Sequence, residues 1–62
     1  MDPLSDKRRK YFTPREVADY FGLSRAKVYQ MVGRRELAAH KFGNAIRIAR
    51  EELERLERDS AL

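Results

Sequence analysis

Residues 14–33, PREVADYFGLSRAKVYQMVG, carry the strongest structural signals in this chain of 62 residues. At its start Thr13 is a favourable helix N-cap, Pro14 suits the first helical position, and Glu16 completes a capping box with Thr13. Apolar residues then follow at helical spacing until Gly22, a residue type that ends helices in the left-handed conformation. These signals predict a first helix that begins at Pro14 and ends at Gly22.

A second helix is predicted directly after Gly22. Ser24 is its N-cap, and the single residue between Gly22 and Ser24 forces a sharp turn. Ala18 is small enough to let two helices approach closely, and Phe12 is spaced to pack on Val17 as a hydrophobic staple. Together these signals favour a helix-turn-helix over a plain helical hairpin.

The positive charge of the chain is concentrated in one segment. The formal net charge is +4, and residues 22–48 hold six basic side chains against one acidic side chain. Positive charge on one stretch suits a polyanion, because each neutralised phosphate releases condensed counterions. The alternative is an ordinary solvated surface.

Length and composition argue against several classes of function. An enzyme pocket of about 300 Å³ or more needs a larger core than a chain of 62 residues supplies. There is no cysteine, the single His40 cannot hold a metal alone, and no apolar run approaches the ~18 residues of a membrane span. We therefore expect no enzyme, cofactor, metal or small-molecule ligand, no membrane partner, and a cytoplasmic protein.

The outward face of the second helix, residues 24–33, has the chemistry of a DNA-reading surface. A rotation of about 100° per residue turns Val28 and Met31 toward the core and leaves a polar, basic set outside. Gln pairs with adenine, Lys or Arg pairs with guanine, and Ala touches a thymine methyl group. Tyr29 lies on the flank, where it either reaches a phosphate or packs partly on the core, and an ordinary exposed face is the alternative for the whole set. The DNA-binding residues expected here are Arg25, Ala26, Lys27, Tyr29, Gln30 and Arg34.

A β-hairpin is predicted over residues 39–48, since Gly43-Asn44 is a two-residue turn signal between two short strand-like runs. A bare hairpin is marginal in water, so its apolar face must pack on the helices. We expect Phe42, Ile46 and Ile48 on that core face. The outer face and tip, which approach DNA as a wing or else are simply solvated, then carry Lys41, Asn44 and Arg47.

The two ends of the chain have different expected roles. Residues 1–10 are polar and show no periodicity, which predicts a flexible arm. Its basic cluster lies along phosphates or enters a minor groove, or else the arm is a solubilising tail. Residues 49–60 predict a third helix that buries Leu53 and Leu56 to close the core. The predicted domain is therefore residues 11–60.

The run from Tyr11 to Leu56 resembles the excisionase-type helix-turn-helix domains, relatives of the winged domain of MerR-type regulators. The resemblance implies a mainly α fold with a small β-hairpin, a winged helix-turn-helix, with helix 2 in the major groove and the wing on the minor groove or backbone. One position departs from the family pattern: Arg35 stands where a glycine is usual, two residues before Leu37. By matching position, the residues near DNA are Arg25, Ala26, Lys27, Gln30, Lys41, Asn44 and Arg47.

These observations favour a small sequence-specific protein that binds double-stranded DNA. The resemblance implies either an excisionase, also called a recombination directionality factor, or a compact transcription regulator. Its further partners would be an integrase, or copies of itself bound cooperatively on adjacent sites. The alternative is a protein-interaction module on the same scaffold. Binding of single-stranded DNA or RNA ranks last. It requires aromatic rings exposed on a sheet face, and the one ring of the hairpin, Phe42, is expected in the core.

Overall fold

The computed structural model describes residues 5–62, so the first four residues of the expected basic arm lie outside it. Three helices and a small antiparallel sheet confirm the mainly helical, winged helix-turn-helix prediction. None of the helices in the described range is long and apolar enough to cross a bilayer. In chain order the elements are β1 (Tyr11–Phe12), α1 (Pro14–Phe21), α2 (Arg25–Gly33), β2 (His40–Phe42), β3 (Ala45–Ala49) and α3 (Arg50–Asp59).

The capping signals predicted for α1 are all present. The Glu16 amide donates to the Thr13 hydroxyl oxygen at 3.1 Å, and the Thr13 amide donates to the Glu16 carboxylate at 2.9 Å. Gly22 ends the helix with φ 69° and ψ 33° in the left-handed region. The next amide, that of Leu23, donates to the Ala18 carbonyl at 2.8 Å. This end is a Schellman motif, and it turns the chain directly toward α2.

The second helix begins as predicted and ends in a less usual way. Its N-cap Ser24 accepts a hydrogen bond from the Lys27 amide at 3.0 Å. At its end the Glu36 amide donates to the Met31 carbonyl at 2.9 Å, which makes a second Schellman motif. The left-handed position of this motif is Arg35, with φ 62°. Arg35 therefore adopts the backbone conformation that a glycine adopts more easily.

Replacing Arg35 by glycine is expected to stabilise the domain by roughly 0.5–1 kcal/mol. The change relieves about 1–2 kcal/mol of strain in the left-handed conformation. Part of this gain is offset, because glycine also gives the unfolded chain more conformational freedom. Urea unfolding followed by circular dichroism measures the difference. Arg34→Gly is the matched control, because Arg34 has φ −86° and gains no relief from glycine. A lower stability for Arg35→Gly than for the parent contradicts the strain argument.

The sheet has three strands in the order β1-β3-β2, one more than the predicted two-stranded wing. β1 pairs antiparallel with β3, so that Tyr11 lies opposite Ala49 and Phe12 lies opposite Ile48. The predicted turn joins β2 to β3, and Gly43 there has φ 63°. The β2 and β3 partners are His40 with Arg47, Lys41 with Ile46, and Phe42 with Ala45.

This register corrects the predicted faces of the hairpin. Directly opposite residues of an antiparallel pair point to the same side, and sides alternate along a strand. Phe42 therefore shares the face of Ala45 and Arg47, whereas Lys41 shares the face of Ile46. The prediction that Phe42 packs in the core was wrong, since its side chain is 54% exposed. The prediction that Lys41 and Arg47 share one outer face was also wrong.

A small hydrophobic core lies between the helices and the inner side of the sheet. Leu53 of α3 is fully buried as predicted, and Leu56 packs against the core from a half-buried position. β2 contributes no buried residue, and the loop before it contributes Leu37. The hydrophobic core cluster consists of Phe12, Val17, Ala18, Val28, Met31, Leu37, Ile48 and Leu53.

The segment before β1 makes specific contacts with the rest of the domain. Arg9 donates to the Glu16 carboxylate at 2.6 Å, and its guanidinium carbon lies 4.7 Å from the centre of the Phe12 ring. Arg50 donates from Nε to the Arg9 carbonyl at 2.9 Å. Its backbone amide donates to the Lys10 carbonyl, also at 2.9 Å. A boundary at residue 10 between a flexible arm and the domain stays a prediction.

Arg55 of α3 ties that helix to the loop behind α2. Its guanidinium donates to the Glu36 carbonyl at 2.9 Å and to the Glu52 carboxylate at 2.7 Å. Glu52 in turn accepts from the Ala38 amide at 3.0 Å. The hydrogen bond from Arg55, followed by that from Ala38, lowers the pKa of Glu52 below its usual value. These contacts hold the loop on either side of the buried Leu37, and so fix the end of α2.

Candidate nucleic-acid interface

The outward face of α2 is exposed as the sequence analysis predicted. Val28 is fully buried and Met31 is 8% exposed, so these two side chains fix the rotation of the helix against the core. Gln30 lies on the solvent side, and Tyr29 is 50% exposed and outside the core cluster. The whole predicted set is exposed: Arg25, Ala26, Lys27, Tyr29, Gln30 and Arg34.

The tight packing of α1 on α2 positions this face. Ala18 is 2% exposed and belongs to the core cluster, so a larger side chain there would have to displace its neighbours. Gly22, with its positive φ, and Ser24, with its capping hydroxyl, set the angle at which the chain enters α2. The sequence thus folds locally into a rigid corner that carries the polar face of α2 outward.

The charge on this face is not neutralised within the described part of the chain. Arg25 and Lys27 form no ion pair there, and the first turn of α2 has no acidic residue. Arg34 has one weak and exposed partner, Glu36 at 4.0 Å. Unpaired cations beside a helix N-terminus favour an anion, because the amide dipoles add to their positive field.

The three residues predicted for the wing differ in their surroundings. Asn44 is exposed at the tip of the turn, and Lys41 is exposed on β2. Arg47 is half-buried on β3, where its Nη1 donates to the Ile46 carbonyl at 2.8 Å. Lys41 and Arg47 therefore lie on opposite faces of the hairpin. They can contact the same ligand only around the tip or the edge of the hairpin.

Sequence reasoning missed a cluster of three rings on the sheet. Tyr11, His40 and Phe42 lie on one side, which we call the outer sheet face, together with Ala45, Arg47 and Ala49. The Tyr11 ring is edge-on to both others, at centroid distances of 5.7 Å from His40 and 5.5 Å from Phe42. His40 and Phe42 are near parallel, 26° apart, at 6.1 Å. Counting strand partners outward from the two-residue turn would have placed Phe42 and His40 on this face.

The arrangement offers surfaces for binding. Among residues 5–62, no three His, Asp or Glu side chains come together as metal ligands do. What the fold exposes is a basic, amide-bearing helix face and a sheet face of aromatic rings. Both are types of surface that proteins use to contact nucleic acids.

Among known protein families, the chain matches a model described as a helix-turn-helix domain over residues 11–59. The matched range begins at β1 and ends with α3, so it contains every helix and strand described above. Neither a curated protein nor a solved structure matches the chain. Domains of this type bind DNA and are typically not enzymes. The chain belongs to this excisionase-like family of helix-turn-helix domains.

Proposed function

We propose that this protein binds double-stranded DNA in a sequence-specific manner, with α2 in the major groove and the β2-β3 hairpin on the minor groove or backbone. The observation that carries the proposal is the outward face of α2. Gln30 and the unpaired Arg25 and Lys27 stand on that face, while the buried Val28 holds the helix from the opposite side. Family membership supports DNA binding.

The residue types on α2 support a division of roles. Gln30 can donate and accept at one adenine edge, Lys27 can donate to guanine, and Ala26 can touch a thymine methyl group. Arg25 in the first turn and Arg34 past the last turn have the reach for phosphates. Phosphate contacts fix the position of the helix on the duplex, and base contacts select the sequence.

The hairpin adds contacts that do not depend on sequence. Asn44 at the tip and Lys41 on the edge strand are both exposed and have the reach for phosphate or the minor groove. Arg47 would first have to release the Ile46 carbonyl, because its Nη1 is bonded there. Tyr29 on the flank of α2 offers a hydroxyl to a neighbouring phosphate. We assign the hairpin to affinity and α2 to specificity.

The biological role that fits this family is an excisionase or a compact transcription regulator. A single module buries roughly 600–1,000 Å² on DNA, so tight binding needs further contacts. We infer that these come from copies bound on adjacent sites or from a partner such as an integrase. Selection of bound sites from random duplexes tests this directly, because cooperative copies leave repeated half-sites with a fixed spacing.

Gln30→Ala is expected to remove base preference at one position of the selected site. A bidentate contact is worth roughly 1–3 kcal/mol, so discrimination at that position falls about tenfold. Lys41→Ala is the control: it should weaken all sequences alike and make the dependence of affinity on salt shallower. Titrations of the selected duplex and its single-base variants at two salt concentrations measure both effects. An unchanged preference in Gln30→Ala contradicts the assignment of α2 as the reading helix.

A further inference from the structure

We propose that the outer sheet face is a second nucleic-acid surface, which binds single-stranded DNA by stacking unpaired bases on Tyr11, Phe42 and His40. This surface is separate from the face of α2. The inner side of the sheet packs on α1 and α3 through residues such as Ile48, so the rings point away from the helices. The three rings have no role in the proposed double-stranded function.

The rings are available to a ligand. Tyr11 is 43% exposed and Phe42 is 54% exposed. Burial of rings of this size would stabilise the domain, yet the fold leaves them in contact with solvent. Their partners on the central strand are alanines, Ala49 opposite Tyr11 and Ala45 opposite Phe42. Because alanine side chains are short, the central strand does not shield the ring faces from a ligand. The result is a shallow platform on which the rings of the two edge strands meet above the short side chains of the central strand.

The charge around the platform selects a polyanion. Residues 37–50 contain no Asp or Glu, and of their basic side chains His40 and Arg47 lie on the platform while Lys41 lies on the opposite face of β2. Arg47 lies on the platform itself, directly opposite His40, and the exposed Lys10 precedes Tyr11. Rings alone would suit any apolar partner. Rings among cations, with no acidic residue in the hairpin, suit a ligand that carries aromatic faces and phosphates together.

Single-stranded nucleic acid is the ligand with that chemistry. In a duplex the base faces are stacked on one another and are closed to a flat protein surface, whereas an unpaired strand presents them. The choice of DNA rather than RNA rests on the proposed function, since α2 would hold this protein on DNA. A strand that opens beside the bound duplex is then the nearest source of unpaired bases.

The test compares the full chain and three variants on a labelled dT12 oligonucleotide, an rU12 oligonucleotide and the selected duplex. Phe42→Leu removes the ring but keeps an apolar side chain, and Tyr11→Leu does the same on the other edge. Both should weaken binding of dT12 about tenfold, the scale of one lost stacked base, and should change duplex affinity by less than about threefold. Gln30→Ala should leave dT12 binding unchanged. Fluorescence anisotropy gives the affinities, and the ring resonances of His40 and Phe42 should shift when dT12 binds.

Each other result would overturn the proposal in a different way. Equal binding of dT12 by the parent and by Phe42→Leu shows that the rings do not stack on bases. Tenfold tighter binding of rU12 than of dT12 overturns the choice of DNA. A concentration-dependent dimer that Phe42→Leu abolishes shows that a second copy covers this face. Failure of the α2 assignment appears separately, as an unchanged base preference of Gln30→Ala on the duplex.

Discussion

Replacement of Phe12 by alanine is expected to unfold the domain. Phe12 is fully buried and is the largest side chain of a core of eight buried residues. Deleting a buried phenylalanine side chain costs roughly 3–5 kcal/mol, because the transfer free energy is lost and a cavity is left behind. A domain of 62 residues has a total stability of roughly 3–9 kcal/mol. One substitution therefore removes most of the free energy of unfolding.

The position of Phe12 adds to that cost. Its ring lies under two guanidinium groups, that of Arg9 at 4.7 Å and that of Arg50 at 5.4 Å. Cation–π contacts of this kind contribute roughly 0.5–2 kcal/mol each, and the alanine variant loses both. The strand β1, which is only two residues long, depends on the same ring to stay in place beside β3.

Thermal and urea unfolding followed by circular dichroism measure this effect. Phe42→Ala is the matched control, because the same ring is removed from an exposed position and a loss below about 1 kcal/mol is expected. Phe12→Leu should fall between the two, since it keeps most of the apolar volume. A cooperative transition for Phe12→Ala within 1 kcal/mol of the parent would show that the core does not depend on this ring.

The place of Phe12 in the sheet could not be predicted from the sequence. We expected it to pack on Val17 at the start of α1, which is a local interaction. Its pairing with Ile48 in the sheet is not local, and a strand of two residues has no periodicity to detect. β1 was therefore absent from the prediction, although both of its residues were inside the predicted domain.

The helix-turn-helix was predictable because its signals are local. The N-caps Thr13 and Ser24 and the left-handed Gly22 act within a few residues of their own positions, and all three are confirmed. The rotation of α2 followed from helical periodicity alone, and the buried Val28 confirms it. Which exposed side chains touch bases depends on the shape of the DNA, so those assignments remain predictions.

The hairpin shows how a correct turn can lead to wrong faces. The prediction placed Phe42 with Ile46 and Ile48 by alternating along the chain through the turn. Across a two-residue turn the flanking residues are partners, so Phe42 faces Ala45 and the alternation restarts from that pair. In this register the rings point outward. The outer sheet face is therefore available for the binding of single-stranded nucleic acid, which ranks last on the sequence alone.

Removal of Glu16 should also destabilise the domain strongly, and it should do so in a pH-dependent manner. Its carboxylate accepts from the Thr13 amide at 2.9 Å and from Arg9 at 2.6 Å. The hydrogen bond from Arg9 is the main cause that lowers the Glu16 pKa to about 2, from a usual value of 4.5. One side chain thus closes the capping box of α1 and holds the segment before β1.

Glu16→Ala should lower the free energy of unfolding by about 2–3 kcal/mol at pH 7, since it removes a cap and a charged hydrogen bond. Because the Glu16 pKa is lower in the folded state, the ionised carboxylate stabilises the fold to its full extent above pH 4.5. This stabilisation is lost as the pH falls toward about 2. The difference between parent and variant should therefore shrink over that window in urea titrations. Glu16→Gln keeps the cap but cannot ionise, so its own pH dependence in this window should be weaker than that of the parent. A difference between parent and Glu16→Ala that is the same at pH 7 and pH 2.5 would show that Arg9 and Glu16 do not act as an ion pair in solution.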